Sequence, residues 1–182
     1  MDETTETNSR AAAQGLAHLA GKYLAFVLSQ EKYGLQITKV QEIIGMMHIT
    51  HVPRTANYLK GVINLRGKII PVVDLRLKFG LPSIEPDDKT CILVVEVTLS
   101  GKSLAVGVIV DTVLEVLNFH VNQLEPAPEY GASLTTNFIL GMGRSSTENV
   151  IILVDIEKAL ADTVAGMAAD SAGTTQITEI KE

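Results

Sequence analysis

Residues 61–76 read GVINLRGKIIPVVDLR, and a weaker echo of that stretch, ENVIILVDIEKAL, returns at 148–160. In each, a short apolar β run is closed by Asp and followed by alternating apolar and charged residues. Val73-Asp74 precedes Val154-Asp155 by 81 positions. The upstream parts repeat as well: Gly34, Leu35, Ile37, Val40, Glu42 and Ile43 match Gly107, Val108, Val110, Val113, Glu115 and Val116 at an offset of 73. Tyr58-Leu59-Lys60-Gly61 resembles Phe138-Ile139-Leu140-Gly141 at an offset of 80. The offset grows by insertion in the second copy, as surface loops allow. Two units of roughly 65 to 75 residues are too few for a solenoid, which needs about three repeats, but they suit a duplicated small domain.

Composition narrows the function. With 182 residues and 46% apolar content, the chain buries one good core or two small ones side by side. Aromatic residues make up 4% and Trp is absent, so the core is aliphatic and surfaces that stack nucleic-acid bases are scarce. A net charge of −6 argues against nucleic acid, because counterion release needs a clustered basic surface. Cys91 has no second cysteine to pair with, and its apolar run CILVVEV fits a reduced, buried, cytoplasmic thiol. Met1 to Arg10 is acidic and polar, unlike a secretory signal, and no apolar run approaches the ~18 residues of a membrane helix. A soluble protein with no membrane insertion is expected.

Between two expected tails, 1–20 and 162–182, seven strands are predicted: 23–28, 33–37, 58–63, 68–75, 90–97, 103–110 and 150–154. Each is rich in Val, Ile and Leu and bounded by Gly, Pro, Asn or Asp. The capping-box spacing at Thr38-Lys39-Val40-Gln41 predicts a helical turn after the second strand, with Asp111 capping a matching turn in the later half. Asp155 is the expected N-cap of a final helix from Ile156 to about Val164. Residues 82–88, with Pro82, Pro86 and an acidic pair, form the joint between halves, and Pro126-Ala127-Pro128 marks a second loop.

Enzyme readings fail one by one. Gly101-Lys102-Ser103 has the tail of a phosphate-binding loop, but Glu96 stands where the motif needs its first Gly. Gly141-Met142-Gly143 begins like a dinucleotide fingerprint, yet position 146 is Ser and no βαβ unit surrounds it. His48 and His51 would share a helix face, but Pro53 and the β-branched Ile49, Thr50 and Val52 favour an extended loop, so no metal pair is assigned. His18 and His120 have no nucleophile beside them, and no nucleophile elbow aims a serine. No catalytic residue, cofactor site or metal site is assigned.

The turn Asn64-Leu65-Arg66-Gly67 is what remains unusual. Asn at its first position and Gly at its fourth suit a type I turn between two strands, which places Leu65 at a wet tip beside Arg66. Pro71 in the following strand points to a sheet edge or bulge, since it cannot donate to a ladder. The hairpin therefore reads as an accessible edge suited to a partner, with Glu42 as the counter-ion for Arg66.

Taken together, YGLQITKVQEI at 33–43, NLRG at 64–67, IIPVVDLR at 69–76, VGVIVDTVLEVL at 106–117 and IILVDIEKAL at 151–160 closely resemble the CheW family of bacterial chemotaxis coupling proteins. The resemblance runs from about Lys22 to Leu160 and departs from the usual pattern at Pro53-Arg54-Thr55, in a loop. It implies a mostly β fold of two intertwined five-stranded SH3-like barrels with short helical turns and a C-terminal helix. It also implies a non-enzymatic adaptor, recruited to receptor arrays, that links the cytoplasmic tip of chemoreceptors to the regulatory domain of the histidine kinase CheA. By position it implies a receptor groove at Leu24, Ile37, Val40, Ile43, Val113, Val116 and Gly141, although a β-rich chain needs such aliphatics for its core in any case. Glu42, Gly61 and Arg66 resemble positions that couple receptor to kinase. The competing readings are a CheV-like coupling domain, which would precede a receiver where only about 20 residues follow Leu160, a kinase regulatory domain, a ligand-binding or catalytic barrel, and a scaffold in a non-flagellar pathway.

Overall fold

The continuous apolar runs form strands that are buried on both faces. In the computed structural model, which describes residues 14–128, 137–146 and 148–172, the run CILVVEV lies in β6 (Cys91–Leu99). Its Ile92 and Val94 enter one core while Leu93, Val95 and Val97 enter another. β1 (Gly21–Leu28) divides likewise, with Tyr23 on one side and Leu24, Phe26 and Leu28 on the other. A strand covered on both sides has no polar face, so alternation vanishes from its sequence.

The other strands are β2 (Glu31–Gln36), β3 (Val40–Gly45), β4 (Leu59–Leu65), β5 (Lys68–Asp74), β7 (Lys102–Val110), β8 (Thr112–Phe119), β9 (Leu124–Pro126), β10 (Ile139–Arg144) and β11 (Val150–Val154). One sheet has the order β8-β1-β2-β11-β10-β9, the other β3-β6-β7-β5-β4. Each takes strands from both halves of the chain, so the two small barrels are intertwined. Parallel ladders lock the exchange: β5 pairs with β7 at Val72↔Gly107, and β11 pairs with β2 at Leu153↔Gly34. Gly34 and Gly107 are repeat equivalents, and a Cβ on either would come within 2.9 Å of an aliphatic side chain on a neighbouring strand.

The repeat extends to single hydrogen bonds. Asp74 N–H donates to the Tyr58 carbonyl at 2.7 Å, and Asp155 N–H donates to the Phe138 carbonyl at 2.7 Å. Each Asp then caps a helix: Asp74 accepts from Leu77 N–H at the start of α1 (Leu75–Lys78), and Asp155 accepts from Lys158 N–H at the start of α2 (Ile156–Ala172). The ladders of both hairpins slip at the equivalent glycines, between Leu59 and Gly61 and between Ile139 and Gly141.

A large core of β1, β2, β5–β7, β11, α1 and α2 side chains lies between the sheets, and each barrel has a small core of its own. Few as they are, the aromatic rings include a continuous row: Phe26, Tyr33, Phe79 and Phe138 follow one another at centroid spacings of 5.8, 5.6 and 4.7 Å. Such contacts add about 0.5–1.5 kcal/mol apiece beyond the area they bury. The halves are also joined by charge. Arg76, 7% exposed, donates to Asp111 Oδ2 at 2.5 Å and to the Pro82 carbonyl at 2.9 Å, and the same carboxylate oxygen accepts from Ser29 N–H at 2.7 Å.

Several expectations are corrected. Four strands join the predicted seven: β3, β8, β9 and β10. The sheet containing β1 has six strands, the shortest being the three-residue β9. The turn after the second strand is a 3₁₀ turn at Ile37–Lys39, and Val40 already begins β3. Asp111 caps no helix; it is the corner residue between β7 and β8, held by Arg76 and Ser29. α2 continues to Ala172 and buries Thr163 and Val164, so the expected C-terminal tail does not begin at 162. At the other end Leu19 is 3% exposed and packs in a barrel core, because the 3₁₀ turn Ala17–Leu19 tucks it in. The remainder of the expected tails, 1–13 and 173–182, lies outside the described residues, as does 129–136 after the Pro126–Pro128 loop.

Candidate partner-binding site

The hairpin of β4 and β5 is tighter than its sequence implies. Leu65 pairs with Lys68, leaving a loop of two residues, Arg66 and Gly67, at φ +51° and +85°. Positive φ at both loop residues is the mark of the type I′ hairpin turn, whose twist matches the strands it joins. Leu65 is thus a strand residue packed on the barrel core rather than a wet tip. Asn64 Oδ1 accepts from Gly67 N–H at 2.9 Å and braces the loop.

This turn holds Arg66 with its side chain 74% exposed and aims it at β3. Arg66 Nη1 and Nη2 donate to the two Glu42 carboxylate oxygens at 2.8 and 2.7 Å, a bidentate fork that ties one edge strand of the sheet to the hairpin at its other edge. Those hydrogen bonds hold the Glu42 carboxyl below its ordinary range and the guanidinium above its own. Arg66 is largely in water and Glu42 half-buried, so the pair sets geometry more than stability.

β3 and β8 each form one edge of their sheets, the opposite edges being β4 and β9, and they are repeat equivalents. At one pair of equivalent positions their exposure matches closely: Ile43 is 48% exposed and its counterpart Val116 is 49%. Val40 and its counterpart Val113 are half-buried against the central core. The edges meet at Cys91, whose Cα partner is Gly45 on β3 and whose thiol hydrogen-bonds the Val113 backbone on β8. Burial nonetheless pushes this thiol's pKa up, which favours the unreactive form. Two edge strands flanked by exposed aliphatics are features of the kind to which protein partners attach, since unpaired strand edges and contiguous apolar patches both attract them.

The residues expected in a groove are thus divided. Ile43 and Val116 are on the surface, and Ile37, Val40 and Val113 lie just beneath it. Leu24 does not join them: it is 3% exposed, sits opposite Val116 in the β1–β8 ladder and packs in the central core. Gly141 is a packing glycine, because a Cβ there would come within 2.7 Å of the Glu125 carbonyl. Gly61 is more constrained still, at φ +140° with the Thr50 carbonyl 2.0 Å from a would-be Cβ. Thr50 and Val62 exchange two backbone hydrogen bonds of 2.9 Å across that contact. Leu114, 45% exposed on β8, was not expected. A signal existed: it stands where the first copy has the polar Gln41.

The decoys for enzyme chemistry resolve into backbone structure. Ser100-Gly101, with φ of +51° and +76°, is the type I′ turn between β6 and β7, so a strand follows Gly101 where a phosphate-binding loop has a helix. His48 and His51 lie in the non-helical stretch between β3 and β4.

A family model described as CheW-like domain matches residues 22–164. The chemotaxis protein CheW of Klebsiella aerogenes is 41% identical over 140 residues, which is 77% of this chain and 81% of that protein. CheW of Helicobacter pylori is 33% identical over 132 residues, covering 72% of this chain and 77% of that one. The crystal structure of the scaffolding protein TtCheW from Thermoanaerobacter tengcongensis superposes with a TM-score of 0.68 at 35% identity, covering 78% of this chain and 92% of that one. The duplicated barrels and these similarities lead to one assignment: the chain belongs to the CheW family.

Proposed function

We propose that this protein is a chemotaxis adaptor that couples the cytoplasmic tip of chemoreceptors to the regulatory domain of the histidine kinase CheA, within receptor arrays. It is a scaffold and not an enzyme. The observation that carries this reading is the pair of free edges, β3 and β8, with Ile43 and Val116 equally exposed beside the Glu42–Arg66 fork. A receptor tip is a helical surface, and aliphatic side chains spaced along two converging edges suit the apolar stripe of a helix. The receptor surface is assigned to Ile43, Leu114 and Val116, with Ile37, Val40 and Val113 supporting it from beneath. Arg66 and Glu42 are assigned to the kinase-coupling surface, and Gly61 shapes the strand that carries Arg66.

None of the described helices is long and apolar enough to cross a membrane, so recruitment to the membrane is assigned to receptor binding. The test is reconstitution of receptor-containing membranes with the kinase. Autophosphorylation should rise severalfold when the protein is added and fall when attractant follows. Equal kinase activity with and without the protein would end this proposal.

A further inference from the structure

A cavity of about 280 Å³ is lined by residues 83–86 of the joint between the halves and by Asp74, which closes β5. Met46, Ile49 and Ile109 give it apolar wall, and Lys60 enters beside Asp74. Arg76 and Asp111 also line it, but they are closed on each other. Asp74 is not closed in this way. It is 6% exposed, and among the described residues its Oδ1 accepts from Leu77 N–H at 3.3 Å, while Oδ2 has only the Lys60 ammonium, 4.0 Å away and beyond hydrogen-bonding reach. Buried carboxylate oxygens ordinarily have a donor. The helix cap does not ask for the cation, because Asp155 caps α2 in the second copy with Leu140 at the position of Lys60.

We infer that this cavity binds a free α-amino acid with an aliphatic side chain, its ammonium on Asp74 Oδ2, its carboxylate on Lys60 and its side chain against Met46, Ile49 and Ile109. A zwitterion carries adjacent charges of opposite sign, so it completes both members of a pair that do not close on each other. One bridging water, at ~30 Å³, would fill only about a tenth of the space. A cavity just below the ~300 Å³ at which pockets for drug-sized ligands begin suits a smaller ligand with an apolar body and two polar contacts.

Calorimetric titration of the full chain with L-leucine tests this. Leucine should saturate at or below about 1 mM, while isocaproate, which lacks the ammonium, and isoamylamine, which lacks the carboxylate, should bind at least about tenfold more weakly. Lys60→Leu, which copies the second half, and Asp74→Asn, which keeps a capping side chain, should each weaken leucine by at least about tenfold. Melting of the unliganded variants checks their folding, and Lys60, with a side chain 37% exposed, carries the test if Asp74→Asn unfolds. Absence of saturable heat from leucine with the wild type would overturn the inference and leave the space to water. So would equal leucine affinity in the wild type and Lys60→Leu, or equal affinity for leucine and isocaproate.

Discussion

Gly61→Ala separates a backbone requirement from a partner contact. Gly61 sits at φ +140°, a region L-residues rarely enter, and its missing Cβ is where the Thr50 carbonyl approaches to 2.0 Å. Backbone cannot yield as a side-chain tip does, so Ala must push the 46–58 segment away and break the two Thr50–Val62 hydrogen bonds. The strain costs about 1–3 kcal/mol, and each lost bond adds about 0.5–1.5 kcal/mol. The sum centres on ~4 kcal/mol, which for a chain of this size lowers the melting temperature by about 8–16 °C. Calorimetry with urea titration measures it. Gly67→Ala is the control: φ is +85° but no atom lies within 4 Å of the added Cβ, so only the conformational penalty of about 1 kcal/mol applies. A Gly61→Ala protein melting within ~2 °C of wild type would refute this reasoning and return Gly61 to the partner surface.

Arg66→Glu should leave the melting temperature within ~2 °C yet abolish kinase activation, read in the reconstituted assay. Because Arg66 depresses the Glu42 pKa, the fork is complete above the ordinary carboxylate value of 4.5 and is lost only as pH falls through the lower folded value. Coupling should accordingly show no pH dependence from this pair between pH 6 and 8, and carbon NMR should place the Glu42 midpoint below 4.5, moving upward in Arg66→Ala. Val116→Asp, at a site 49% exposed, should fold normally and weaken receptor binding about thirtyfold, corresponding to ~2 kcal/mol; normal receptor pull-down would remove β8 from the surface. Val113→Asp, half-buried on the core, should instead destabilise the fold. Arg76→Leu strands a largely buried Asp111 carboxylate and should cost about 3–5 kcal/mol in urea unfolding; a loss under ~1 kcal/mol would show that the interlock is a surface pair.

What the sequence revealed followed burial. Strands with both faces covered, such as CILVVEV, announce themselves as unbroken apolar runs, and the Asp caps are local chemistry. β3 and β8 escaped because an edge strand with one wet side carries mixed residues: in KVQEIIG the polar Gln41 and Glu42 interrupt the run, and a neighbouring capping-box spacing mimics a helix start. The NLRG loop was misplaced by one residue since type I and I′ turns share Asn and Gly, and only φ distinguishes them. That Glu42 would meet Arg66 was posed from sequence on charge alone, because residues 24 positions apart are brought together by the curl of a sheet. Leu24 and Gly141 show the converse: a family position is read from sequence, but whether its side chain faces water is decided by pleat parity and interstrand approach.

The duplication explains why the adaptor's two edges are not interchangeable. Ile43 and Val116 keep equal exposure after the copies diverged, so the apolar part of the docking surface is pseudo-symmetric. The charged part is not. Glu115 stands where the first copy has Glu42, but the position matching Arg66 at an offset of 80 is Ser146, and the nearby Arg144 pairs with Glu125 at 3.0 Å instead. Only β3 therefore carries a charge fork beside its aliphatics, while β8 adds Leu114 where β3 has Gln41. A helical partner can lie across both edges, because its apolar stripe asks only for aliphatics, whereas a partner that reads charge is directed to β3. If this asymmetry assigns the partners, Gln41→Leu should strengthen receptor binding severalfold and leave kinase affinity unchanged, as measured by calorimetric titration against each partner. Equal effects on both affinities would show that one surface serves both.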